Sequence, residues 1–263
     1  MVRGVVSLGR AGEGSLAGSG PELGARVPLA LWTAGREALA LARQAVLLHR
    51  DVPASCPTSA RSGEGVVVLL HGLFATAGVL RPMRRQIERE AGVHTASFTY
   101  APGPGVESVA RRLGDLISRL PSGVRIHLVG HSMGGIVARW FVQELGGDPR
   151  IVQTISLASP FGGTRHARLL PGPAGRDISP GSALLRRLQA SAHSVPEVVH
   201  LSIASVLDPI VTESALFPAG DRLIVDSQGH NGLLFDRLVA SEIARRVTAS
   251  AVRPLSEPVE LVA

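Results

Sequence analysis

From residue 66 onward, two hydrophobic periods alternate along the chain. Short β-branched runs at 66–70, 93–99, 125–129, 151–157, 198–205 and 223–226 read as strands, several of them too continuously apolar for a sheet with one wet face. Between them, residues 80–90, 106–120, 134–145 and 233–247 space their apolar side chains three or four positions apart, as a helix face requires. Strands alternating with helices in this way predict an α/β fold, with a mostly parallel central sheet covered by helices on both faces. The rhythm breaks between Pro160 and Pro196. There a Gly/Pro-rich loop at 161–175 precedes a helical stretch at 182–189 carrying Leu184, Leu185 and Leu188. So long an excursion between strands predicts a short cap insertion over a site, spanning residues 160–196.

Upstream, residues 1–26 are rich in Gly and Ser and lack an apolar period, which reads as a flexible leader. Residues 28–50 differ. Leu31, Leu39, Leu41, Val46 and Leu48 fall at helical spacing, and Arg36, Arg43 and Arg50 recur every seventh residue, predicting an amphipathic helix with a basic stripe. Pro53 and Pro57 close it off. Two readings of this helix stand side by side: it packs on the main domain or a partner, or it makes peripheral contact with an anionic membrane surface. The chain thus divides into a leader, helix and linker (1–62), an α/β domain (63–250) and a C-terminal tail (251–263).

Composition narrows the classes. With 263 residues, of which 45% are hydrophobic and 18% charged, the chain can bury a sizeable core, which excludes a disordered or fibrous protein. The net charge is +6, and all 27 basic residues are arginine, so the high isoelectric point of about 11.1 overstates the basicity at neutral pH. Outside the stripe at 36–50, the arginines are scattered as pairs over several helices, which marks solvated faces rather than a nucleic-acid surface. The single cysteine, Cys56, excludes an intrachain disulfide and a thiolate metal site. The longest apolar stretch is interrupted by Arg36, Glu37 and Arg43, and the run around Val5 is too short for a signal peptide. A cytoplasmic or peripheral-membrane location is the expectation.

The chemistry concentrates at Gly130-His131-Ser132-Met133-Gly134, a G-x-S-x-G pattern lying between a predicted strand and a predicted helix. In that context the glycines permit a turn too sharp for neighbouring side chains, and the turn lifts the serine hydroxyl clear of the backbone. A serine nucleophile needs a base and an acid to orient it. His230 lies in Gly229-His230-Asn231-Gly232, between the last strand and the last helix, and is the one histidine of nine in such a loop. Asp208 follows strand 198–205 and completes the order Ser, Asp, His; Asp221 and Asp226 are the competing acids. His71-Gly72-Leu73-Phe74 follows strand 66–70, making the backbone amides of Leu73 and Met133 the candidate oxyanion donors. Phe74 and Phe161 are candidate substrate contacts, although either can belong to the core.

Together these residues resemble the α/β-hydrolase family, and within it bacterial lipases and esterases that join an H-G-[LF] turn to a G-H-S-M-G-G elbow. The likeness covers roughly residues 66–247. Leu157-Ala158-Ser159-Pro160-Phe161-Gly162-Gly163-Thr164 is similar to the segment that opens the cap in lipases, lecithin:cholesterol acyltransferases and GPI inositol deacylases. Asp177-Ile178-Ser179-Pro180-Gly181-Ser182 is similar to the start of the cap helix, and Gly229-His230-Asn231-Gly232-Leu233-Leu234 to the histidine loop. Secreted lipases of similar sequence hold calcium with an aspartate two residues past the catalytic histidine; here that position is Gly232, so the resemblance carries over no metal. It implies cofactor-free acyl transfer by Ser132, His230 and Asp208 on a small-molecule acyl ester or lipid, as a carboxylesterase or lipase. A phospholipid or GPI-type deacylase, a thioesterase and an acyltransferase share that triad, and a non-catalytic binding module is the alternative of another class.

Overall fold

The computed structural model describes residues 5–10, 23–170, 172–212, 215–226 and 228–251, with the backbone course alone for 5–10, 23–31 and 251. Strands β1 (Val5–Arg10), β2 (Gly65–Leu70), β3 (His94–Ser97), β4 (Arg125–His131), β5 (Ile151–Leu157), β6 (Val199–Ser205) and β7 (Asp221–Val225) form one sheet in the order β1-β7-β6-β5-β4-β2-β3. All neighbours are parallel except β1, which pairs antiparallel with β7 at the edge. The expectation of a mostly parallel sheet therefore holds. β1 arises inside the stretch read as a leader, whereas residues 1–4 and 11–22 of that stretch, and 252–263 of the tail, lie outside the described residues.

Both faces of the sheet are covered. The alternation along β2 shows it residue by residue: Val66, Val68 and Leu70 join one core, and Val67 and Leu69 the other, all of them buried. The first core is closed by α3 (Val106–Ser118) and α4 (Met133–Glu144), through residues such as Val109, Leu113, Ile136 and Val137. The second is closed by α2 (Arg81–Ala91) and α7 (Arg237–Ala251), through Met83, Ile87, Val239 and Ile243. Each such side chain contributes about 1.5–3 kcal/mol on burial, so the two-sided strands are a main source of stability.

Of the boundaries that differ from the sequence reading, two have clear local reasons. β3 ends at Ser97 rather than 99, because the chain leaves the ladder for Tyr100 N–H to donate to His71 Nε2 at 3.1 Å. The last helix starts at Arg237 rather than 233: a 3-10 turn at Gly232–Phe235 intervenes, and Asp236 Oδ1 then caps α7 by accepting Leu238 N–H at 2.8 Å. The cap insertion holds a 3-10 turn (Arg165–Leu169), α5 (Gly172–Asp177) and α6 (Ala183–Ala190). Ser182 caps α6 by accepting Leu185 N–H at 3.1 Å, and Asp177 ties the insertion to α3 by accepting Val106 N–H at 2.7 Å. Upstream, α1 (Leu23–Leu47) packs on the loops at the end of the sheet, touching the 3-10 turns at Ala77–Leu80 and Gly232–Phe235. No helix among the described residues is long and apolar enough to cross a membrane.

Candidate active site

Ser132 occupies the turn between β4 and α4 with φ 52° and ψ −122°, a conformation that costs a non-glycine residue about 1–3 kcal/mol. The surrounding glycines are required by space. A Cβ on Gly130 would collide with the Gly134 backbone, one on Gly134 would lie 2.5 Å from the Leu70 carbonyl oxygen, and one on Gly135 would meet Ser159 Oγ. Ser132 N–H donates to the Leu157 carbonyl at 2.8 Å, which anchors the turn to β5. The side chain is half-buried.

His230 and Asp208 come together from loops at the same sheet edge. His230 Nδ1 donates to Asp208 Oδ2 at 2.8 Å, and both residues are buried, at 5% and 7% exposed. The other carboxylate oxygen of Asp208 accepts the backbone N–H groups of Ile210 at 2.7 Å and Val211 at 3.0 Å, fixing its orientation. With Nδ1 as the donor, His230 keeps Nε2 as a proton acceptor. The competing acids are elsewhere: Asp221 pairs with Arg246 at 2.6 Å, and Asp226 is exposed. His131, directly before Ser132, donates from Nε2 to the His230 carbonyl at 3.1 Å, and the two rings lie 4.9 Å apart. Burial holds the His131 imidazole neutral, its pKa lowered to about 3.

The turn after β2 runs against the serine: a Cβ on Gly72 would stand 3.0 Å from Ser132 Cβ. His71 braces that turn. Its ring stacks on Tyr100 at 3.8 Å between centroids, its Nδ1 donates to the Gly72 carbonyl at 2.7 Å, and its own carbonyl accepts the Tyr100 hydroxyl. Burial lowers its pKa to about 4, which keeps Nε2 free to accept Tyr100 N–H. Leu73 is half-buried, and Met133 opens α4 fully buried. Phe74 sits at φ 57° with 64% of its surface exposed. Phe161, the other candidate substrate contact, is wholly buried, its ring 5.0 Å from Phe217 and 5.8 Å from His200 within the core cluster.

One part of the site was missed in the sequence. Glu37 on α1 clamps the histidine loop: its carboxylate accepts Asn231 N–H at 2.9 Å, Asn231 Nδ2–H at 2.5 Å and Gly232 N–H at 3.3 Å. Gln44 donates to Asn231 Oδ1 at 2.6 Å, and Arg36 donates to Gln228 Oε1 at 2.9 Å. The helix at 28–50 therefore packs on the domain. Glu37 was visible only as an interruption of an apolar run, and no local spacing links it to residue 231. Among the described residues, no three His, Cys, Asp or Glu side chains cluster in a way that could hold a metal ion.

The profile of the family described as "Putative serine esterase (DUF676)" matches residues 61–175, from the connector through the elbow into the cap. No curated protein matches the sequence. Among solved structures, the mature lipase BlEst2 of Bacillus licheniformis is similar over 75% of this chain and 96% of its own, with 14% identity and a TM-score of 0.58. Lipase B of Aspergillus fumigatus is similar over 74% of this chain and 56% of its own, with 18% identity and a TM-score of 0.59. Phospholipase PlaB of Legionella pneumophila is matched over 54% of this chain at 18% identity and a TM-score of 0.45, and this chain spans only 38% of its length. At these identities the likeness is one of architecture: the chain has the α/β-hydrolase fold.

Proposed function

We propose that the protein is a serine hydrolase of the lipase or carboxylesterase type, acting on small-molecule acyl esters or lipids through Ser132, His230 and Asp208. His230 Nε2 takes the Ser132 proton as Oγ attacks the ester carbonyl. The backbone amides of Leu73 and Met133 stabilise the resulting oxyanion, and the imidazolium passes its proton to the departing alcohol. Water, deprotonated by His230, then attacks the acyl-enzyme and releases the acid, returning Ser132 to its starting state. Asp208 holds the imidazole in the Nδ1–H tautomer throughout.

The observation that carries this reading is the 2.8 Å contact of Asp208 with His230 in buried loops whose histidine lies beside the strained turn bearing Ser132. The close approach of Gly72 to Ser132 supports the oxyanion assignment. The shared architecture with Bacillus and Aspergillus lipases and the serine-esterase profile point to the same chemistry. The test is turnover of p-nitrophenyl esters of graded chain length by the wild type and Ser132→Ala, with fluorophosphonate labelling alongside. The variant is expected to lose several orders of magnitude in turnover and all labelling; equal rates would overturn the proposal.

A further inference from the structure

Trp32, Leu39 and Val46 recur every seventh residue on α1 and stand out into solvent, 46%, 52% and 69% exposed. At 1.5 Å per residue they form a ridge about 21 Å long. The packed side of the helix is formed instead by the buried Ala40 and by Arg36, Glu37 and Gln44, which carry its hydrogen bonds to the histidine loop. The ridge is thus not spent on holding α1 in place. At Val46 it borders a groove of about 670 Å³ between α1 and α2, which is lined by Leu47, Met83 and Phe235. Arg43, Arg85, Arg89 and Arg237 rim that groove, and none of the four has an ion-pair partner among the described residues. The acid lining it, Asp236, is buried and already accepts from Gln228, Leu238 and Val239.

We propose that this face docks on an anionic lipid bilayer. An exposed apolar ridge carrying a tryptophan, beside unpaired guanidiniums, matches the acyl boundary and the charged headgroups of such a surface. A second copy of the chain fits it poorly, because a two-fold contact would set these arginines against their own counterparts. α1 also grips the loop of His230, so the proposed docking surface and the candidate active site share one helix. None of the residues of this surface takes part in the proposed ester hydrolysis.

The full chain is tested by cosedimentation with vesicles of phosphatidylcholine alone and of phosphatidylcholine mixed with phosphatidylglycerol. The wild type is expected to bind the anionic vesicles, to release as salt rises, and to bind the neutral ones weakly. Arg85→Glu with Arg89→Glu, and separately Leu39→Glu with Val46→Glu, are each expected to weaken binding by about tenfold or more while soluble-ester turnover persists. The two pairs sit on different helices, so a folding defect in one leaves the other decisive. Equal binding to both vesicle types, variants that bind like the wild type, or self-association of the wild type that either pair abolishes would each overturn the proposal.

Discussion

The Glu37 carboxylate on α1 accepts the backbone N–H of Asn231, the residue directly after His230, at 2.9 Å. It also accepts the amide of Gly232, so one side chain from the start of the chain fixes two successive peptides of the histidine loop. Because misplacing a proton acceptor by about 1 Å costs about 100-fold in rate, Glu37 is a positioning residue for the proposed reaction. Glu37→Ala is expected to lower kcat about 10- to 100-fold with KM little changed, and Glu37→Gln, which keeps one acceptor oxygen, to recover part of the loss. Steady-state kinetics alongside thermal melts check this; a fall in melting temperature with kcat intact would limit Glu37 to holding the fold.

Asp208 makes a sharper prediction. Its carboxylate is oriented by two backbone amides and receives His230 Nδ1–H, so an amide in its place would present a donor to the imidazole and favour the wrong tautomer. On the proposed mechanism, Asp208→Asn is expected to reduce kcat by about 10⁴, as the same change does in Ser-His-Asp proteases, without loss of fold. Asp221→Asn and Asp226→Asn serve as controls, since one carboxylate is engaged by Arg246 and the other faces water. Comparable losses in all three would refute the choice of acid.

Gly134 tests the elbow as a packing problem. A methyl group there would lie 2.5 Å from the Leu70 carbonyl oxygen and 2.8 Å from that of His71, both backbone atoms of the strand and turn that lead into Leu73, the proposed oxyanion donor. Gly134→Ala must therefore push β2 and α4 apart, at a cost of about 1–3 kcal/mol, and carry Leu73 away from Ser132. Activity is expected to fall further than stability alone would account for. Gly35→Ala, in α1 with nothing within 4 Å of the new methyl, is expected to hold or raise the melting temperature.

Much of this was legible because it is local. The two-sided strands, the amphipathic helices and the Gly130-x-Ser132-x-Gly134 turn are written in spacings of two to four residues, and placement after predicted strands together with chain order favoured Asp208 and His230. The unforeseen parts depend on distant partners. β1 became an edge strand only through pairing with β7, more than two hundred residues on. Arg139 reads as an ordinary helix charge, yet it is 1% exposed, donating to Gln143 and Thr154 beneath the Phe217 ring. Phe161 looks as suited to a substrate pocket as Phe74 does, and only the fold shows that one ring is enclosed and the other open.

The buried histidines set the response to acid. Burial lowers the pKa of His71 and His127 to about 4 and that of His131 to about 3, and drives that of His200 well below its usual value of 6.5. In the unfolded chain each protonates near 6.5, so below that pH the unfolded state binds protons that the native state refuses. Stability is therefore complete above about 6.5 and is lost as pH falls toward about 4, each histidine contributing a slope of up to about 1.4 kcal/mol per pH unit. The arginine-paired carboxylates Asp148 and Glu242, whose pKa values are lowered, add their losses at still lower pH. Urea unfolding at successive pH values is expected to show this acid slope well before carboxylates titrate. His127→Asn, five residues before Ser132 and on β4, with its ring bonded to Gln153, should reduce the slope by one proton. A flat stability profile between pH 4.5 and 6.5 in the wild type would contradict the neutral state assigned to these four rings.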